Sequence, residues 1–129
     1  MPALESPPSP TTRVKVLIVD DSDDQRHLLS RYFELAGCDV VVADSAESAI
    51  SALDVATPDL AVVDLVLPGM DGWALTARIQ SERPTCSIAI TSVLDAEDYP
   101  AADAVLPKPV SRASIHRVLS TCVPGWVAP

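Results

Sequence analysis

Val16-Leu17-Ile18-Val19-Asp20-Asp21-Ser22 runs four apolar residues straight into two acids and a hydroxyl. A short segment that is apolar at every position, and not at every second one, fits a strand covered on both faces. Four further runs share this character, so the full set reads Val14 to Val19, Val40 to Ala43, Leu60 to Val63, Ile88 to Ile90 and Ala104 to Leu106. Helical spacing fills the intervals between the first four. Ser22 followed by Gln25 predicts a capping box, with Asp23 and Asp24 in the first turn where the helix dipole favours negative charge. Leu29, Phe33 and Ala36 form the inward stripe of that helix, and Gly37 is its stop signal. A second helix is expected over Ala46 to Val55, closed by Thr57-Pro58, and a third over Trp73 to Glu82, closed by Pro84. The last is expected from about Ala113 to Cys122, capped by Ser111, with Ile115, Val118 and Leu119 inward.

Strands alternating with helices predict a parallel sheet between two helical layers. With five strands the expectation is a flavodoxin-like, doubly wound α/β sheet of order 2-1-3-4-5. Ligands of such sheets sit beyond the carboxyl ends of the strands at the switch point, here between strands one and three. Strand one ends in Asp20 and Asp21, and strand three ends in Asp64. Three carboxylates gathered there repel one another unless a cation sits among them. Mg2+ suits such a site because it takes oxygen ligands from one or two carboxylates and from substrate phosphate oxygens. Asp64 would then be a nucleophile toward a phosphoryl group. Thr91 closes strand four and Lys108 follows strand five, which brings a hydroxyl and an ammonium to the same crevice.

The segments VLIVDDS (16–22), VVDLVLPGMDG (62–72), AITS (89–92) and LPKPV (106–110) together resemble the four signatures of receiver domains in two-component signalling. The resemblance covers roughly residues 13 to 122. It implies that Asp20 and Asp21 are magnesium-site acids, with Val66 lending the metal its backbone carbonyl. Asp64 would accept a phosphoryl group from the phosphohistidine of a histidine kinase or phosphotransfer protein. Thr91 would be the switch hydroxyl and Lys108 the contact to the phosphoryl group, with Lys108-Pro109 matching the family's cis peptide. Only 16 residues separate Thr91 from Lys108, fewer than the family usually has, and Pro100 lies among them, so the helix between strands four and five is expected to be truncated or absent. Val105 stands where the family often has an aromatic. Val66 and Val93 stand two beyond the acceptor and two beyond the switch hydroxyl. Neither can orient a water, which implies a long-lived acyl phosphate.

Composition agrees with this assignment. The 129 residues suffice for one domain, and the three cysteines, Cys38, Cys86 and Cys122, form no metal or disulfide pattern, as in a cytoplasmic protein. Residues 1–12 carry four prolines and read as a flexible leader; residues 123–129 form a short tail. Net charge is −9, all of it within residues 1–72, where thirteen acids face four basic residues, so nucleic acid is not an expected partner. No apolar run is long enough to span a bilayer. A monomer or weak dimer is expected. His27 and His116 read as surface or packing residues, Trp73 as packing, and Asp71 as a helix cap. Two other functions share the fold. One is a non-phosphorylated interaction module; the other is a flavin carrier, disfavoured because the loop Asp20-Asp21-Ser22-Asp23-Asp24 would repel a phosphate that comes without metal.

Overall fold

The computed structural model describes residues 13–67, 71–91 and 102–129. Their order is β1 (Lys15–Val19), α1 (Asp23–Leu35), β2 (Asp39–Ala43), α2 (Ala46–Val55), β3 (Leu60–Asp64), α3 (Gly72–Glu82), β4 (Ser87–Thr91), β5 (Ala104–Val105) and α4 (Arg112–Cys122). The strands form one sheet of order β2-β1-β3-β4-β5, every pair parallel, as expected. The truncated or missing helix between β4 and β5 falls on residues 92–101, outside those described. Pro68, Gly69, Met70, Val93, Pro100 and the leader 1–12 lie outside them too.

Alternation along each strand divides the apolar residues between two cores. Val16, Ile18, Leu60 and Val62 face α1 and α4, meeting Leu29, Phe33, Ile115 and Leu119. Leu17, Val19, Ala61 and Val63 face α2 and α3, meeting Ala49, Leu53, Leu75 and Ile79. Phe33 is wholly buried, and its removal from water contributes about 2–3 kcal/mol. The central strands β1, β3 and β4 are nearly all buried, which explains their unbroken apolar runs. β2 departs from that expectation. It is an edge strand, with Val41 and Val42 exposed, because β1 alone pairs with it among the described residues.

The helix ends follow their caps with one correction. Ser22 accepts from the Gln25 backbone N–H, but the reciprocal bond of a capping box is missing from α1, and the Gln25 Nε2 is buried without a partner. Complete boxes occur at Ser45–Ser48 and Ser111–Ser114, where the shorter serine reaches back to the cap backbone. Asp71 caps α3 as expected, accepting from Ala74 N–H at 2.8 Å. Gly37 adopts φ 90°, the left-handed turn that lets the chain leave α1. The tail docks on the body. Trp126 Nε1 donates to the Ala36 carbonyl at 2.8 Å, and its ring meets His116 edge-on at 5.2 Å between centroids. His27 is exposed and Trp73 packs against the α2–α3 core.

Candidate functional site

Register brings the acids together. Val19 lies beside Val63, so the residues that follow each, Asp20 and Asp64, emerge side by side from β1 and β3. Asp64 is in turn the register partner of Thr91. Carboxylate oxygens of Asp20, Asp21 and Asp64 lie within 4.8 Å of one another, a spacing at which a single cation can touch all three. Asp20 and Asp64 are buried and Asp21 is exposed, so the cluster opens to solvent on one side.

Each buried acid is held by its own loop. Asp20 Oδ1 accepts from Ser22 N–H at 2.9 Å, and Asp64 Oδ1 accepts from Val66 N–H at 3.0 Å. The second oxygens face Lys108, whose Nζ lies 3.4 Å from Asp20 Oδ2 and 3.3 Å from Asp64 Oδ2. The Lys108-Pro109 bond is cis. These contacts are long for charge-assisted hydrogen bonds, which leaves the ammonium free to turn toward an incoming anion. Burial is the main influence on the Asp20 carboxyl and pushes its pKa above the ordinary aspartate value; the Ser22 N–H and Lys108 counter this, while Asp64 adds to it. The acid pair is thus partly neutralised by one lysine, and a divalent cation would complete the compensation.

The Thr91 side chain is buried, and its Oγ1 has no hydrogen-bond partner. A buried hydroxyl without a partner costs about 1–3 kcal/mol. Opposite Asp64, it is a donor awaiting an acceptor. Val66 is exposed, and its backbone N–H is engaged in the site. Val105 is likewise exposed.

Two contributors escaped the sequence reading. Arg26 reaches back from α1 to donate to the Asp20 carbonyl at 2.7 Å and pairs with Asp23, bracing the acidic loop. Its only trace in the sequence is the i,i+3 spacing from Asp23. Gly72 packs directly on the strand end: its N–H donates to Leu65 O at 3.0 Å, and a β-carbon there would lie 2.4 Å from Asp64 O. In the sequence Gly72 is marked only as the last residue of the segment 62–72.

The family model described as "Response regulator receiver domain" matches residues 16–120. An uncharacterized 14.6 kDa protein of Leptolyngbya boryana is 35% identical over 116 residues, covering 83% of this chain and 88% of that protein. A protein-glutamate methylesterase/protein-glutamine glutaminase of Halobacterium salinarum is 42% identical over 95 residues. The match covers 71% of this chain but only 26% of that enzyme, and a cyclic di-GMP phosphodiesterase of Thermotoga maritima is matched over 27% of its length. Among solved structures, a receiver domain from Methylobacillus flagellatus superposes with a TM-score of 0.79 at 23% identity, covering 86% of this chain and 99% of that one. The response regulator TrrA of Thermotoga maritima, in complex with Mg(2+)-BeF, gives 0.79 at 21% identity, covering 85% and 99%. These two share the fold. With the family model spanning most of its length and strand order, switch point and acidic cluster in agreement, this chain belongs to the response-regulator receiver domain family.

Proposed function

We propose that Asp64 is the phosphoryl acceptor of a two-component signalling system, taking the group from a phosphohistidine of a histidine kinase or phosphotransfer protein. The observation that carries this reading is the convergence of Asp20, Asp21 and Asp64 within 4.8 Å, with Lys108 3.3 Å from Asp64 and an unpartnered Thr91 hydroxyl in register with it. The donor set suits a hard divalent ion: three carboxylates, with the Val66 carbonyl as the fourth protein ligand, would hold Mg2+. When bound, Mg2+ draws phosphoryl oxygens into the crevice and offsets their charge.

The chain's own residues do the rest. Val66 N–H holds one Asp64 oxygen and orients the carboxylate. An Asp64 oxygen attacks phosphorus in line, the O–P bond forms as the N–P bond to histidine breaks, and the histidine nitrogen departs with the electron pair. Lys108 exchanges its long contact with Asp64 for one with a phosphoryl oxygen, and Thr91 gains the acceptor that it lacks. The phosphorylated domain then acts by protein contact or by passing the group onward. We place it in the cytoplasm, where the three free thiols stay reduced.

Incubation with acetyl phosphate and Mg2+, read by intact mass, tests the reading. One phosphoryl group is expected on the wild type and none on Asp64→Asn or in excess chelator. A folded wild type that takes up none with Mg2+ present would sink it and favour an interaction module that works unphosphorylated.

A further inference from the structure

Among the described residues the outer edge of β2 is unpartnered, and it has the register and the charges of a self-pairing strand. Asp39 N–H donates to Val14 O, and Ala43 O accepts from Asp20 N–H, so the odd-numbered residues of β2 turn their backbone groups toward β1. Val40 and Val42 therefore turn theirs outward, away from every strand of the sheet. Natural edge strands are usually short, charged at the edge, bulged or covered. This one reads Asp-Val-Val-Val-Ala, with Val41 and Val42 each about half exposed (54% and 48%) and one on each face of the sheet.

We infer that β2 is a homodimer interface at which two copies join their sheets edge to edge, antiparallel, centred on Val41. Outward groups on Val40 and Val42 admit a two-fold register in which Val40 of each copy forms a hydrogen-bonded pair with Val42 of the other. Val41 then faces the second copy's Val41 across the axis on the α2 side, and Val40 packs against the second copy's Val42 on the α1 side. A second copy is favoured over an unrelated strand by the charges at the ends of the segment. The same register sets Asp44 opposite the second copy's Cys38. Beside Cys38 stands Arg13, which donates to the Cys38 carbonyl at 3.2 Å and pairs with Asp39 at 2.8 Å, with about half of its side chain exposed. Each Arg13 guanidinium thus meets the exposed Asp44 of the other copy, twice per dimer. The paired segment is five residues long, so the area buried is below that of stable dimers and the association is weak.

Sedimentation analysis from micromolar to millimolar protein tests this. The weight-average mass should climb from 13.6 kDa toward twice that value. Val42→Lys, a charge on an edge that now faces another edge, should raise the dissociation constant at least about tenfold. Asp44→Lys, which sets a lysine against Arg13, should raise it about threefold or more. Both substitutions lie on exposed positions, and circular dichroism verifies that each variant is folded. An independent readout is Val41→Cys. Non-hydrogen-bonded antiparallel pairs have α-carbons about 4.5 Å apart, inside the disulfide window of about 4.4–6.8 Å, so it should form a covalent dimer on mild oxidation. Val55→Cys, more exposed but on α2, should not. A wild type that stays at monomer mass throughout overturns the inference. So does a dimer indifferent to Val42→Lys and Asp44→Lys, which would lie on another face. A monomeric Val41→Cys whose thiol resists alkylation would give the edge to another segment of the chain and also overturn it.

Discussion

Replacing Gly72 by alanine puts a methyl group where backbone already is. Its β-carbon would lie 2.4 Å from Asp64 O and from Leu65 Cα, and 2.9 Å from Leu65 C. Carbon contacts are comfortable near about 3.5–4.0 Å, so α3 and the end of β3 must separate by roughly 1 Å. Both sides are main chain in a buried layer, which cannot yield as the tip of a flexible side chain does. Overpacking of this kind costs about 1–3 kcal/mol. Helix propensity returns little, because Gly72 is the first residue of α3 and not an interior one. The expected net loss is about 2–3 kcal/mol by urea titration, or roughly 6–15 °C in Tm for a domain of this size. Gly125→Ala is the control: nothing lies within 4 Å of its β-carbon, so its stability should stay within about 0.5 kcal/mol of wild type. Because the displaced atoms include the Asp64 carbonyl and the peptide that follows it, acetyl phosphate labelling of still-folded Gly72→Ala should be slower than that of Gly125→Ala. A Gly72→Ala protein as stable as the control, labelled at the same rate, would refute the claim that this helix start braces the acceptor.

Asp20→Asn should raise Tm in the absence of Mg2+ and remove the Tm increase that Mg2+ gives the wild type, as thermal scans with and without metal will show. The sign follows from burial: the Asp20 pKa is raised on folding, so its contribution to stability is complete below about pH 4 and is lost as pH rises through the folded value. Val66→Asn should shorten the lifetime of the Asp64 acyl phosphate severalfold, by supplying a polar group that can orient water; a phosphate-release assay checks it. The buried thiols of Cys38, Cys86 and Cys122 are pushed up from about 9 to about 11, 12 and 11 respectively. Their support is therefore intact below pH 9 and should fade between about pH 9 and 12 in urea titrations, while alkylation at pH 8 should require unfolding.

Much of this molecule is written locally. The central strands declare themselves because burial on both faces demands unbroken apolar runs, and Gly37 announces its turn because few other residues accept that φ. The acids were legible because strand ends at a switch point are defined by topology alone. Less visible was whatever depends on partners distant in the chain. Val40 to Ala43 looks like an interior strand, and only the sheet order reveals that no described strand lies beyond it. Arg26 acts through a backbone carbonyl, which leaves no mark in a sequence, and Gly72 matters through a distance to main chain. Ser22 and Gln25 have the spelling of a capping box, yet the glutamine amide turns inward and the reciprocal bond is not made.

The contact between Trp126 and Ala36 makes the final turn of α1 depend on residues 90 positions downstream. A helix ordinarily finishes with carbonyls answered by water or by its own next few residues. Here an indole N–H answers one of them, at the end of α1 remote from the acids. Shortening the chain to Cys122 would therefore loosen a helix whose own sequence had not been touched, and amide exchange would register it first at Tyr32 to Gly37. The C-terminal heptapeptide is in effect a stitch in the first helix, sewn after every strand has been laid.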